Sequence, residues 1–189
     1  MSSPPSDSTE LMRLARDLVS AAWLEGDFVL RSGRRSSYYL DKYRFSTRPD
    51  LLAAIGAAIA AAVRQHEPDA VRLAAPELGA VPLAAAASLE LGLPFVIVRG
   101  KAKEYGTANR IEGAWEPGEC VCLVEDVVTA GGAALAAVEA LREAGLVVAT
   151  AVCVVDREEG GADVLARVAV RLRPLLSASE VREAPIPHG

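Results

Sequence analysis

A doubly wound α/β fold, with a mostly parallel sheet covered by helices on both faces, is predicted by three observations along the 189-residue chain. Short apolar runs at 70–75, 94–98, 120–125 and 147–155 have strand length and alternate with helical stretches at about 79–91 and 132–144. These runs are apolar at nearly every position instead of every second one, the pattern of strands buried on both sides. The chemically distinctive residues then fall where such sheets bind ligands, at the carboxyl ends of strands: Pro76-Glu77-Leu78-Gly79, Arg99, Glu125-Asp126 and Arg157.

Ahead of this core, at about 70–157, the first 46 residues read as a helix and a hairpin, and the whole chain of 1–189 as one domain. Asp7 and Glu10 have capping-box spacing, and Leu11, Leu14, Leu18, Val19 and Trp23 follow on one helical face, which Gly26 is expected to end. Asp27 to Arg31 and Ser36 to Leu40 flank a Ser-Gly-Arg-Arg turn in the manner of a hairpin. Thr47 and Asp50, with Pro49 in the first turn, predict the start of a second helix running to about Arg64. The ends, about 1–6 and 183–189, read as frayed.

A formal net charge of −5 argues against a protein that holds nucleic acid through phosphate contacts. Hydrophobic residues make up 51% of the chain, but many are alanine, and the longest apolar run, Leu51 to Val63, is too short to span a bilayer. Met1 to Ser6 lacks the basic-then-apolar order of a secretory signal, so a cytoplasmic location is expected. Cys120, Cys122 and Cys153 lie in apolar runs and read as reduced, buried thiols. His66 and His188 have no neighbours that suggest catalysis or metal binding.

The chemistry concentrates in Leu123-Val124-Glu125-Asp126-Val127-Val128-Thr129-Ala130-Gly131-Gly132, an apolar strand leading through two acids into a small-residue turn that opens a helix. A helix start offers amides without intrahelical partners and a positive dipole end, so this turn suits a phosphate. The carboxylates would repel that phosphate and suit hydroxyls or a metal ion better. Phosphate beside hydroxyls describes a sugar phosphate. The segment resembles the phosphoribosyl diphosphate (PRPP) motif of type I phosphoribosyltransferases: an apolar strand, two acids, two apolar residues, then Thr-x-Gly-small. The resemblance implies a phosphoribosyltransferase-like core, with Glu125 and Asp126 on the ribose hydroxyls, and Thr129, Ala130, Gly131, Gly132 and Ala133 on the 5′-phosphate. Val127 and Val128 join the two parts of this PRPP site.

Arg99-Gly100-Lys101-Ala102-Lys103-Glu104-Tyr105-Gly106-Thr107 reads as a charged, mobile loop. Its order resembles the catalytic loop of the orotate phosphoribosyltransferases, which reaches into the neighbouring subunit's site. The resemblance implies a homodimer in which Arg99, Lys103 and Tyr105 bind PRPP across the interface. Arg99 and Lys103, with Asp126, form the catalytic group, the cations offsetting charge that builds on departing diphosphate. The family usually has Arg-Lys-Glu-x-Lys, whereas this chain has Gly100 and Lys101: either Lys101 substitutes for the displaced lysine or one diphosphate contact is lost. Leu78 stands where some members carry lysine.

Asp27-Phe28-x-Leu30-Arg31-Ser32-Gly33-Arg34-x-Ser36-x-Tyr38 resembles the N-terminal hood of the same family. Val154-Val155-Asp156-Arg157-Glu158 resembles the strand end that carries its orotate-binding arginine. The resemblance therefore implies that Arg157, with Thr129, meets the acceptor base. A guanidinium can pair bidentately with a carboxylate on a planar ring, where an ammonium cannot. Arg31 either touches the neighbouring subunit's diphosphate or projects from a strand edge, Lys42 lies close enough in sequence to neutralise substrate charge, and Trp23, Met12, Phe45 and Trp115 read as packing residues. The implied activity joins orotate to PRPP to give orotidine 5′-monophosphate and diphosphate in pyrimidine nucleotide synthesis, with Mg²⁺ held mainly by the diphosphate and water. Transfer to another nucleobase, or PRPP sensing without turnover, would use the same cradle.

Overall fold

The structure is a computed structural model that describes residues 8–29, 35–100 and 110–183. Helix α1 (Ser8–Ala22) buries Leu14, Ala15, Leu18, Val19 and Ala22 along one stripe. It stops earlier than the periodicity predicts. Trp23 begins strand β1 (Trp23–Val29), and Gly26 lies within that strand, where the pairing register shifts, not at a helix end. Strand β2 (Arg35–Leu40) runs antiparallel to β1, which confirms the hairpin; its turn lies outside the described residues, as do Asp7 and Arg31.

A five-residue helix, α2 (Lys42–Ser46), follows, too short to leave a periodic signal. Asp41 caps it by accepting a hydrogen bond from the Tyr43 amide at 3.1 Å, while its own amide donates to Ala22 O at 2.9 Å and ties the hairpin to α1. Helix α3 (Pro49–His66) has the expected N-terminal proline, but Arg48 occupies the cap without a side-chain bond. The Thr47 hydroxyl instead donates to the Tyr43 carbonyl of the preceding helix.

The core then alternates as predicted: β3 (Arg72–Pro76), α4 (Ala80–Leu91), β4 (Phe95–Val98), the short β5 (Ile111–Glu112), β6 (Val121–Val128), α5 (Gly132–Glu143) and β7 (Thr150–Asp156). Three further elements, α6 (Gly161–Ala166), β8 (Arg171–Ser177) and α7 (Ala178–Glu183), complete the described chain. Strand β8 escapes sequence reading because Pro174 and two arginines break the apolar pattern; such a strand is tolerated at a sheet edge, where β8 lies.

The sheet order is β5-β4-β3-β6-β7-β8, parallel throughout except for β5. Side-chain alternation divides the interior into two cores. Leu73, Ala75, Cys122, Val124, Val152 and Val154 pack with α1, α3 and α4 on one face, whereas Ala74, Val96, Val121, Leu123 and Ala151 pack with α5 and Leu165 on the other. From β3 the chain moves outward to β4, and from β6 outward in the opposite direction to β7. The order therefore reverses between β3 and β6, and at such a point a parallel sheet opens a crevice beyond its carboxyl ends.

Candidate functional site

The two loops that border this crevice are the Glu77 to Gly79 turn after β3 and the Thr129 to Gly131 turn after β6. Gly131 caps α5 in the left-handed conformation (φ 80°), which favours glycine. The Leu135 amide donates to Gly131 O at 2.9 Å, so the amides ahead of Leu135 in α5 precede the helical ladder. Thr129, Ala130, Gly132 and Ala133 are exposed, while Gly131 is buried against the next loop. A methyl group on Gly131 would lie 2.9 Å from Gly161 Cα, and one on Gly161 would lie 2.6 Å from Thr129 O and 2.4 Å from Val128 Cγ1. The β7–α6 loop thus supports the Thr129 to Gly131 turn from behind by direct backbone contact. Sequence reading missed Gly161, whose only signal was its place in the Gly160-Gly161 pair.

Glu125 and Asp126 are both buried near the end of β6, and strand alternation turns them to opposite faces. Asp126 faces the α3 and α4 side, where its Oδ2 accepts from Lys42 Nζ at 2.8 Å and its Oδ1 accepts from the Val127 amide at 2.6 Å. The carboxylate passes so close to Gly79 that a methyl group there would fall 1.7 Å from Oδ2. Burial alone would pull Lys42 down, but the hydrogen bond and charge of Asp126, with smaller contributions from Tyr43 and Glu125, leave it raised overall. Lys42, which the sequence linked to the site only by proximity, is therefore the cation that pairs with Asp126.

Among the described residues Glu125 has no such ion pair, and burial, reinforced by the Asp126 charge, pushes its carboxyl up from 4.5 to about 8 against the pull of Lys42. A carboxyl with a raised folded value keeps a proton that the unfolded chain releases near 4.5. The folded state consequently binds more protons between about 4.5 and 8, and stability from this group falls as pH rises through that window. Glu125→Gln should remove this contribution. Its melting temperature should gain on the parent's by several degrees between about pH 5 and about pH 8. Parallel pH profiles for the two proteins would show instead that Glu125 ionises freely.

Arg157 follows β7, and its amide donates to Val128 O at 2.8 Å, which holds it one strand away from the Thr129 to Gly131 turn. Its side chain is nearly buried, with Nη2 3.1 Å from Glu159 Oε1 and the guanidinium carbon 5.0 Å from the centre of the Tyr38 ring. Tyr38 thus brings the hairpin against Arg157; Leu40 belongs to the core and Tyr39 is exposed. Arg99 directly follows β4, and its Nη1 lies 3.6 Å from Glu112 Oε1 on β5. The Arg99 amide donates to Arg110 O at 2.7 Å, closing the base of the segment between them, and Gly100 N donates to Glu77 Oε1 at 2.8 Å. Lys101, Lys103 and Tyr105 lie outside the described residues.

Cys122 and Cys153 are buried and Cys120 partly so; all are free thiols, raised by burial to about 11 for Cys120 and about 12 for Cys122. Among the described residues no group of three or more His, Cys, Asp or Glu side chains could hold a metal ion, and no helix is long and apolar enough to cross a membrane.

Comparison with known proteins agrees with this geometry. Residues 45–172 match the family described as phosphoribosyl transferase domain. The orotate phosphoribosyltransferase of Methanocella arvoryzae is 49% identical over 173 residues, covering 92% of this chain and 96% of its own. The crystal structure of the Aeropyrum pernix orotate phosphoribosyltransferase superposes with a TM-score of 0.79 at 33% identity, over 92% of this chain and 96% of its own. The Mycobacterium tuberculosis enzyme in complex with PRPP superposes with a TM-score of 0.78 at 28% identity, over 92% and 99%. Together with the switch-point crevice, this family match and these relatives show that the chain belongs to the phosphoribosyltransferase family and, within it, to the orotate phosphoribosyltransferases.

Proposed function

We propose that the crevice between β3 and β6 binds PRPP and orotate together, so that a ring nitrogen of orotate attacks the anomeric carbon as its bond to diphosphate breaks. The observation that carries this reading is the convergence of the exposed phosphate turn, the buried acid pair and Arg157 around one switch point. In it, the amides from Thr129 to Ala133 hold the 5′-phosphate, Glu125 and Asp126 hold the ribose hydroxyls, and Val127 and Val128 set the spacing between them. A protonated Glu125 can donate to a hydroxyl while Asp126, paired with Lys42, accepts from one. Arg157 takes the carboxylate of orotate, with Thr129 at the same end of the crevice.

Arg99 at the base of the 99–110 segment, with Lys103 and Tyr105 within it, contacts the diphosphate, and the segment serves the neighbouring subunit of a homodimer. With no group of three or more His, Cys, Asp or Glu side chains among the described residues able to hold a metal ion, most of a Mg²⁺ shell is left to diphosphate and water. Bound that way, Mg²⁺ would offset the leaving group's charge. The protein works in the cytoplasm, as one domain, on small molecules and not on nucleic acid or a membrane.

Arg157→Ala tests the base end. A charge-assisted bond of about 1.5–3 kcal/mol corresponds to a rise of roughly 10- to 100-fold in the KM for orotate. The KM for PRPP should stay within about threefold, because the phosphate turn is a separate set of amides. Steady-state kinetics with each substrate varied in turn decides it: a PRPP effect without an orotate effect would move Arg157 out of the base site.

A further inference from the structure

Arg157 does not stand alone over the crevice. The rings of Trp23 and Tyr38 are stacked, with centroids 4.2 Å apart and planes within 6°, and the Arg157 guanidinium lies over that same Tyr38 ring at 5.0 Å. An indole so close and so parallel covers its face of the phenol, so the guanidinium lies over the other face. The order is indole, phenol, guanidinium.

The hairpin register explains how the stack forms. Trp23 is opposite Leu40, and Tyr38 is two residues from Leu40 on the same face, so Trp23 and Tyr38 are diagonal neighbours, within reach of long aromatic side chains. Leu40 is buried and Trp23 packs against the core that contains it, which anchors the indole to the domain interior.

We infer that Trp23 and Tyr38 are positioning residues for Arg157, holding the guanidinium at the angle that the substrate carboxylate needs. Stacking engages the face of a guanidinium and leaves its edge available for in-plane hydrogen bonds, which bidentate carboxylate recognition requires. Among the described residues Arg157 Nε has no hydrogen-bond partner, so that donor of the guanidinium is not already committed within the protein. The Glu159 contact at 3.1 Å holds the Nη2 end of the same group but competes with a substrate carboxylate for it. The aromatic face does not compete, so it can position Arg157 before and during binding.

This inference rests on the reading of Arg157 as the orotate contact, and the experiment separates the two. Trp23→Ala should raise the KM for orotate by about five- to tenfold, with kcat and the KM for PRPP within about twofold. Trp23→Phe, which keeps a stacking ring, should restore most of the loss. Trp23→Leu, which keeps apolar packing without a ring, should not, and it serves if the alanine variant fails to fold. In an Arg157→Ala background, Trp23→Leu should add nothing further to the orotate KM.

An unchanged orotate KM in Trp23→Leu, beside a raised one in Arg157→Ala, would overturn the positioning role and leave the base-site reading standing. Equal losses from Trp23→Leu with and without Arg157 would also overturn it, since the effect would not pass through the guanidinium. An unchanged orotate KM in Arg157→Ala would remove the base-site reading and this inference with it.

Discussion

Replacing Gly79 with alanine should lower kcat/KM by about a hundredfold or more, because a catalytic group displaced by about 1 Å can cost that much. The added methyl would sit 1.7 Å from Asp126 Oδ2, 2.9 Å from its Cγ and 3.2 Å from Lys42 Cε. Those atoms belong to side chains, so the strain is relieved by swinging the carboxylate away from the ribose side of the crevice and from Lys42. The backbone of α4 need not move, and Gly79 has an ordinary helical φ of −68°, so the substitution adds no torsional strain. The melting temperature should therefore fall by only a few degrees, with a loss of about 1–2 kcal/mol from the half-buried ion pair. Kinetics and a thermal melt on the same preparation check the split. Normal turnover would show that Asp126 does not depend on this approach for its orientation.

Gly161→Ala should act on the opposite side of the crevice and differently. Here the added methyl meets Val128 Cγ1 at 2.4 Å, Thr129 O at 2.6 Å and Gly131 N at 3.2 Å, and two of these three are backbone atoms of the phosphate turn. Backbone cannot rotate aside as a carboxylate can, so the turn itself must shift by roughly the same 1 Å. The expected result is a rise of about 10- to 100-fold in the KM for PRPP, little change in the KM for orotate, and a melting temperature several degrees lower. Isothermal titration with PRPP alone provides the direct measurement. An unchanged PRPP affinity would mean that the turn binds phosphate without support from the β7–α6 loop.

These two glycines show where sequence reading stops. Gly131 is legible because it closes a continuous motif from Leu123, with strand, acids, turn and helix in order. Gly161 lies thirty residues later, and Gly79 earlier in a turn noted for Glu77 and Leu78; nothing in either local pattern says which backbone or carboxylate it approaches. Trp23 gave the opposite error. Its spacing fitted the α1 stripe, yet α1 ends at Ala22 and the indole joins a hairpin, because cross-strand stacking on Tyr38 and burial against the core outweigh local helical periodicity. Lys42 was visible only as a charge near the hood, since its ion-pair partner Asp126 lies far along the chain.

By itself the sequence determined the class of fold, the switch from hairpin to alternating strands and helices, the strand, turn and helix around Thr129 to Gly132, and the residues at the carboxyl ends of the strands. Those features are written in neighbouring residues, where periodicity, turn chemistry and motif order act over a few positions. Only the tertiary structure decided that Lys42 neutralises Asp126, that Gly79 and Gly161 leave room for the two halves of the site, and that Trp23 reaches Arg157 through Tyr38. Each is a contact between segments far apart in the chain, fixed by how helices and sheet pack and not by any local preference.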